Sequence, residues 1–364
     1  MKRSLLASLV LFTSMGSALA NGCGLKIGQE KNGNNGNKKK YQVPGILPKG
    51  CDKGSNIEIE LPDGKVKKFK GKEKNGNRPS WAGQSGFASL EFIRSSLNDD
   101  LIVGSIVDAE EGMVYQFMVN ADGEEEVTVT PSDEFPPEED PEDFDVRHRQ
   151  LLVEGQGYQE LMDEGFSSSI EQQGLRGRGG FLDKAVSEQV FGTSLFEEKH
   201  LPRRLEDDGS VVDVMVVWTK GAECEAAGYT TTDCTLTSIT EFIMRDLVDL
   251  AVEETNTAYT ASGVNFQLRL VHAYRDEDYT ETSDFFASLQ ALTITNDGNL
   301  DSVHAKREDF GADVVAMLRT FSGNSCGIAW RGTTPSKSYM FSVTAWSCAT
   351  GQWGDVGLLK LLPP

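Results

Sequence analysis

The chain has 364 residues, a formal net charge of −21 and six cysteines. That length allows about two ordinary domains, and the negative balance repels nucleic acid and anionic membrane surfaces at long range, so neither is an expected partner. Six cysteines, an even number, suit an oxidising compartment and a disulfide framework, and no C-x-x-C pair with a partner pair offers a zinc site instead.

Residues 1–20 open on Lys2 and Arg3, run through an apolar stretch from Leu5 to Phe12 and end on Ala18-Leu19-Ala20. A basic head, a short apolar core and a small-x-small site make a secretory signal peptide. The apolar core is too short to span a hydrocarbon layer of about 30 Å, so a secreted, extracellular protein is expected. The pro-region is expected over 21–204. Its start, 21–80, is rich in Gly, Asn and Lys (Asn32 to Lys40, Lys72 to Asn77), which buries little and tolerates disorder. One hairpin is predicted there, Ile57–Leu61 and Lys65–Phe69 about the Pro62-Asp63-Gly64 turn.

From Trp81 to Thr130 the pattern becomes β-like. Apolar runs at Leu101–Val107, Met113–Val119 and Val127–Thr130 predict a small antiparallel sheet over about 81–130. Residues 131–145, acidic and carrying Pro136-Pro137, read as an extended linker. Residues 150–200 read as a loosely folded connecting or inhibitory segment. Arg203-Arg204, ahead of the acidic Glu206 to Gly209, suits a processing protease that needs an exposed loop at a domain edge.

Val211–Trp218 is nearly continuously apolar, a strand buried on both faces. Leu236 to Ala258 has helical spacing at Leu236, Ile239, Ile243, Leu247, Leu250 and Ala251, with Gly263 as its stop. Val264 to Leu270 alternates as a half-buried strand. Helical material around 285–310, a buried strand at Val314–Leu318 and short strands at Ile328–Trp330 and Tyr339–Trp346 complete an α/β layer. Neighbour pairing of the cysteines, Cys23 with Cys51, Cys224 with Cys234 and Cys326 with Cys348, keeps each bridge inside one region.

Several of these pieces carry a joint likeness. They are Val212 to Thr219, Ala251 to Tyr259 running into Ser262 to Leu270, Phe310 to Leu318, Cys326 to Trp330, and Phe341 to Thr344 with Trp346 to Thr350. In this order, Val211 to Gly351 resembles the upper half of the catalytic domain of reprolysin-like (adamalysin-type, metzincin-clan) zinc metalloendopeptidases. The resemblance implies a zincin-like N-terminal subdomain, a mixed twisted α/β sheet with long helices, preceded by a small β-rich, partly disordered pro-region. It implies a secreted zymogen whose substrate is an extended peptide or protein. That substrate pairs main chain to main chain with an edge strand, here Gly327, Ile328 and Ala329.

In that family the chemistry comes from H-E-x-x-H on the next helix, two histidines holding zinc and the glutamate taking a proton from metal-bound water. This sequence has no H-E-x-x-H and no histidine after His304. No catalytic or metal-ligating residue can therefore be carried over. Zinc belongs to the complete family member and none is expected for this chain. The expectation is a truncated, inactive catalytic domain at 205–351 with an aberrant tail at 352–364, produced by a frameshift, a retained intron or a mis-joined exon. The underside of its sheet and its long helix are expected to be bare. Of the remaining histidines, His272 reads as a packed strand residue, His304 as helical, and His148 and His200 sit beside positive charge. Two alternatives stand beside this reading: a secreted pseudoenzyme that binds peptides without cutting them, and an acidic extracellular structural protein binding Ca²⁺ weakly through 133–145.

Overall fold

The computed structural model describes residues 23–31, 39–43, 46–54, 56–76, 78–135, 210–230, 232–282, 284–321, 326–330 and 340–351. The signal segment, most of the acidic linker, residues 150–200, Arg203, Arg204, His148, His200 and the tail 352–364 lie outside the described residues. All the described residues fall within one compact unit of the chain.

Alternation of inward apolar and outward polar side chains builds the first part of the chain into nine strands. These are β1 (Gly24–Lys26), β2 (Lys39–Gln42), β3 (Asn56–Glu60), β4 (Val66–Asn75), β5 (Pro79–Ser85), β6 (Ala88–Arg94), β7 (Ile102–Asp108), β8 (Met113–Val119) and β9 (Glu125–Pro131). Strands β3 to β9 form an antiparallel meander, flanked by β1 on β3 and β2 on β9. The sheet then closes on itself. The chain leaving β1 pairs with β2 through Gly28 N to Gln42 O (2.7 Å), Gln42 N to Gln29 O (3.1 Å) and Lys31 N to Lys40 O (2.7 Å). Among the described residues, this closure pairs the two outer strands of the sheet with each other.

The barrel is larger than the sequence pattern predicts, because it takes in the Lys-rich segment. In β4 only Phe69 is fully buried, while Lys68, Lys70 and Lys72 are exposed. Composition hides such a strand, since a barrel asks only that the inward half of the alternation be apolar. Lys68 meets the directly opposite Glu58 at 2.8 Å, a cross-strand pair in which the lysine is exposed and the glutamate buried. Inside, Trp81, Phe92, Phe117, Ile57, Ile59 and Leu25 make a continuous core. The Trp81 ring stacks on Phe92 at 5.7 Å and its indole N–H donates to Gly54 O at 3.0 Å. Gly83 is bare because a Cβ there would occupy the space of the Trp81 ring. The Cys23–Cys51 disulfide ties the entry of β1 to the 3-10 turn before β3.

The second part is a five-stranded sheet in the order β11-β10-β12-β14-β13. Its strands are β10 (Val211–Trp218), β11 (Gln267–Arg275), β12 (Val314–Arg319), β13 (Gly327–Ala329) and β14 (Phe341–Ala345). All pairings are parallel except β13 with β14. The helices are α1 (Lys220–Ala226), α2 (Ser238–Ala261), α3 (Phe285–Thr293) and α4 (Asp301–Phe310). Val214, Val216 and Trp218 face α1 and α2, while Met215 and Val217 face α3 and α4. That two-sided burial explains the unbroken apolar run of β10.

A capping box formed by Thr237 and Thr240 starts α2. Gly263, in the left-handed region at φ 72°, ends it, with Val264 N bonded to Tyr259 O at 2.9 Å. Strand β11 starts later than the alternation at Val264 implies and continues through Arg275. The short α1 was not legible as a helix. It is held by the Cys224–Cys234 disulfide and by buried Glu223, which accepts from Trp218 Nε1 (2.7 Å), Thr240 Oγ1 (2.5 Å) and Arg275.

The expected bare face of the sheet and long helix is not found among the described residues. One side of α2 packs on the sheet through Ile243, Met244, Leu247, Val248 and Ala251. Leu250, on another side, packs with Ile93, Leu101, Val103 and Val119 of the barrel. The barrel wall covers what the sequence reading left open.

Trp81 fills the barrel centre, so Trp81→Ala is expected to lower unfolding stability by about 3–5 kcal/mol, from lost burial plus a cavity. Urea denaturation followed by far-UV circular dichroism measures this; a loss below about 1 kcal/mol contradicts the packing described.

Candidate functional site

The predicted site residues Gly327, Ile328 and Ala329 form β13, at the end of the five-stranded sheet. They pair antiparallel with Thr344, Val343 and Ser342, respectively, and Ala345 N donates to Cys326 O at 2.8 Å. Among the described residues β13 pairs with β14 alone, which leaves one main-chain side of the strand without a strand partner. Gly327 is required by closeness: a Cβ there would lie 2.5 Å from Val343 O and 3.1 Å from Thr344 Cα.

Three anchors fix this edge. The Cys326–Cys348 disulfide joins the entry of β13 to the 3-10 turn after β14. Trp330, just past β13, donates from Nε1 to Thr293 Oγ1 at 2.7 Å and meets Phe286 edge to face at 5.9 Å, which docks the strand on α3. Trp346 donates from Nε1 to Glu225 Oε2 at 2.9 Å, fixing the turn to α1.

The turn Ser347–Gly351 is held from the other side by the barrel. Gln116 of β8 donates from Nε2 to Thr350 O at 2.9 Å and to Thr350 Oγ1 at 3.2 Å. Gly351 has φ 72° and donates its N–H to Glu254 Oε2 at 2.8 Å. A Cβ on Gly351 would come within 2.9 Å of Val114 Cγ1 in the barrel wall.

Farther along α2, buried Asp246 accepts from Arg78 Nη1 (2.6 Å), Ser95 Oγ (2.9 Å) and Ser96 N (2.8 Å). Arg78 also reaches Asp249 at 3.0 Å. Burial opposes the Arg78 charge, yet Asp246 and Asp249 beside it hold the guanidinium above its ordinary pKa. Burial pushes the Asp249 carboxyl up against the pull of Arg78. Sequence reading missed Gln116, Asp246 and Glu254. A trace was present: Asp246, Leu250, Glu253 and Thr257 fall on one helical stripe, so acidic residues share a face with a buried leucine.

The two described histidines pack against aromatic rings. His272 stacks on Phe310 with ring centroids 3.8 Å apart and on Tyr274 at 5.1 Å. His304 packs against Phe341 at 5.5 Å, and burial depresses its pKa. All six cysteines are in disulfides. Among the described residues no three or more His, Cys, Asp or Glu side chains are placed to hold a metal ion. These described residues do not fit a zinc centre. No helix among the described residues is long and apolar enough to cross a membrane.

Residues 220–356 match the family model described as metallo-peptidase family M12B, reprolysin-like. The peptidyl-Asp metalloendopeptidase of Xanthomonas campestris pv. campestris is 38% identical over 120 residues, covering 32% of this chain and 28% of that protein. A protein of the same name from Pseudomonas aeruginosa is 34% identical over 159 residues, covering 40% of this chain and 22% of that protein. The chain therefore spans well under a third of the length of these relatives. The crystal structure of metalloproteinase-II from Bacteroides fragilis matches at a TM-score of 0.34 and 10% identity, covering 84% of this chain and 77% of that one, a likeness too loose to argue from.

The Cys326–Cys348 bridge closes a loop of 22 residues around the edge strand. Replacing both cysteines by serine is expected to cost about 2–4 kcal/mol. The readout is the urea midpoint at unchanged slope; an unchanged midpoint contradicts the anchoring role.

Proposed function

On the premise that residues 220–356 are a reprolysin-like, M12B-family metallopeptidase segment, we propose that this chain is the peptide-gripping part of a secreted metalloendopeptidase zymogen. The observation that carries the reading is β13, an edge strand antiparallel to its neighbour, bare at Gly327 and anchored at both ends. An extended peptide laid beside it gains main-chain hydrogen bonds, while its alternate side chains point to either side of the strand. The relatives' names point to peptides containing aspartate as first candidates.

None of the 364 residues supplies H-E-x-x-H, the motif that holds zinc and carries the general base in this family. Taken by themselves, these residues grip a peptide without hydrolysing it. Residues 21–204, ending on Arg203-Arg204, act as the pro-region, with the barrel as its folded part. The covered face of α2 also favours a second reading, a peptide-binding protein that does not cut at all, because the barrel supplies the contact such a protein needs. A monodisperse protein melting in one cooperative transition supports that second reading; aggregation on purification counts against it.

Calorimetric titration of the 364-residue protein with an extended aspartate-containing octapeptide, and with the same peptide N-methylated at alternate residues, tests the grip. N-methylation is expected to weaken binding at least tenfold, and Gly327→Val to do the same by displacing β13. Equal affinity for the two peptides, or no binding of either, overturns the edge-strand reading. Hydrolysis by zinc-supplemented protein overturns the claim that these residues do not cut.

A further inference from the structure

The chain runs from the barrel to the α/β layer through residues 136–209, and no disulfide adds a second link. Cys23–Cys51 closes inside the barrel, while Cys224–Cys234 and Cys326–Cys348 close inside the α/β layer. The two parts nevertheless meet along α2 from Asp246 to Thr257. At one end Arg78 of the barrel reaches Asp246 at 2.6 Å and Asp249 at 3.0 Å, and Ser95 and Ser96 donate to the same Asp246. At the other end Thr257 donates to Glu91 at 2.9 Å, and Ser105 donates to Glu254. Past the helix, Gln116 donates to Thr350 and Ala121 N donates to Ala227 O at 3.1 Å.

Apolar contact fills the space between these hydrogen bonds. Leu250 packs with Ile93, Leu101, Val103 and Val119. Leu97, Met118 and Ala121 of the barrel pack against the cluster that contains Ile243, Leu247 and Ala251. Phe135 packs against the cluster that contains Phe341 and Cys348. An apolar centre with about 10 direct hydrogen bonds is the make-up of a stable interface between separate proteins.

We propose that the barrel is a permanent partner of the α/β layer rather than a removable cover. An external processing protease hydrolyses the peptide bond after Arg204, consuming one water, and the two resulting chains stay bound to each other. None of the contacts named above involves residues 136–209, so the cut removes connection and its effective concentration but no contact. Departure of the barrel would bare Leu250, Leu97 and Met118 together and part Arg78 from Asp246, and both changes oppose it. Gln116 therefore stays on the turn Ser347–Gly351, and the anchor of β13 survives the cut. This inference rests on the proposed function only for the natural place of the cut.

The test uses the folded 364-residue protein with site-specific protease sites inserted between Pro137 and Glu138 and between Arg204 and Leu205, so that cutting excises the connecting segment. At about 1 μM, above the dissociation constants usual for stable interfaces, gel filtration with light scattering is expected to show one species holding both chains in equal amounts. Arg78→Met is expected to raise the dissociation constant of the cut complex at least tenfold, read by sedimentation on dilution. Lys26→Met, which removes an exposed ion pair with Glu60 elsewhere on the barrel, is expected to leave it unchanged. Should the Arg78 variant not fold, Ser96→Ala, which removes one donor to Asp246, is expected to weaken the complex at least threefold. Separation of the chains on cutting, aggregation of the cut protein, or an unchanged dissociation constant in the Arg78 or Ser96 variant overturns the proposal. Peptide binding at β13 is read separately on the uncut protein, so failure there leaves this result standing.

Discussion

Helix α2 has to be covered on two sides, and the rest of the molecule is arranged around meeting that demand. Its 24 residues present one stripe to the five-stranded sheet and another, Asp246, Leu250, Glu253 and Thr257, to the barrel. The second stripe is mixed. Leucine contributes apolar burial, while each polar member needs its own partner, because an unanswered buried carboxylate costs several kcal/mol. Arg78, Ser95 and Ser96 meet that need at Asp246. The fit between barrel and helix is therefore set by hydrogen-bond geometry as much as by apolar contact, which gives the docked arrangement a definite register.

The same docking reaches the edge strand. Barrel residue Gln116 and helix residue Glu254 both hold the turn Ser347–Gly351, and Cys348 within that turn is bridged to Cys326 at the entry of β13. The candidate peptide-binding edge and the barrel are thus linked through one short segment.

Much of the α/β layer was legible from periodicity. The run Val211–Trp218 demanded a strand buried on both faces, and Leu236 to Ala258 could only be a helix. A short strand was read at Ile328–Trp330 and its place at the sheet edge, as Gly327 to Ala329, came from the resemblance; its antiparallel pairing with β14 was not anticipated. The barrel was legible only in part. Its later strands alternate clearly, but β4 is a lysine-rich strand with a single large inward residue, Phe69, and closure depends on pairing between Gly28–Lys31 and Lys40–Gln42 that no local pattern encodes. Helix α1 escaped because it has 7 residues and is fixed by a disulfide and Glu223, both tertiary constraints. The expectation of an uncovered helix face failed because it left the barrel out of account: Ile93, Leu101, Val103 and Val119 pack on Leu250.

Arg78 and Asp246 lie 168 positions apart and meet only if the barrel sits on α2. A double-mutant cycle with Arg78→Met and Asp246→Asn, read by urea unfolding, tests that contact directly. The account predicts a coupling of about 1–3 kcal/mol between the two sites. Strictly additive effects would show that the helix and the barrel are not joined there.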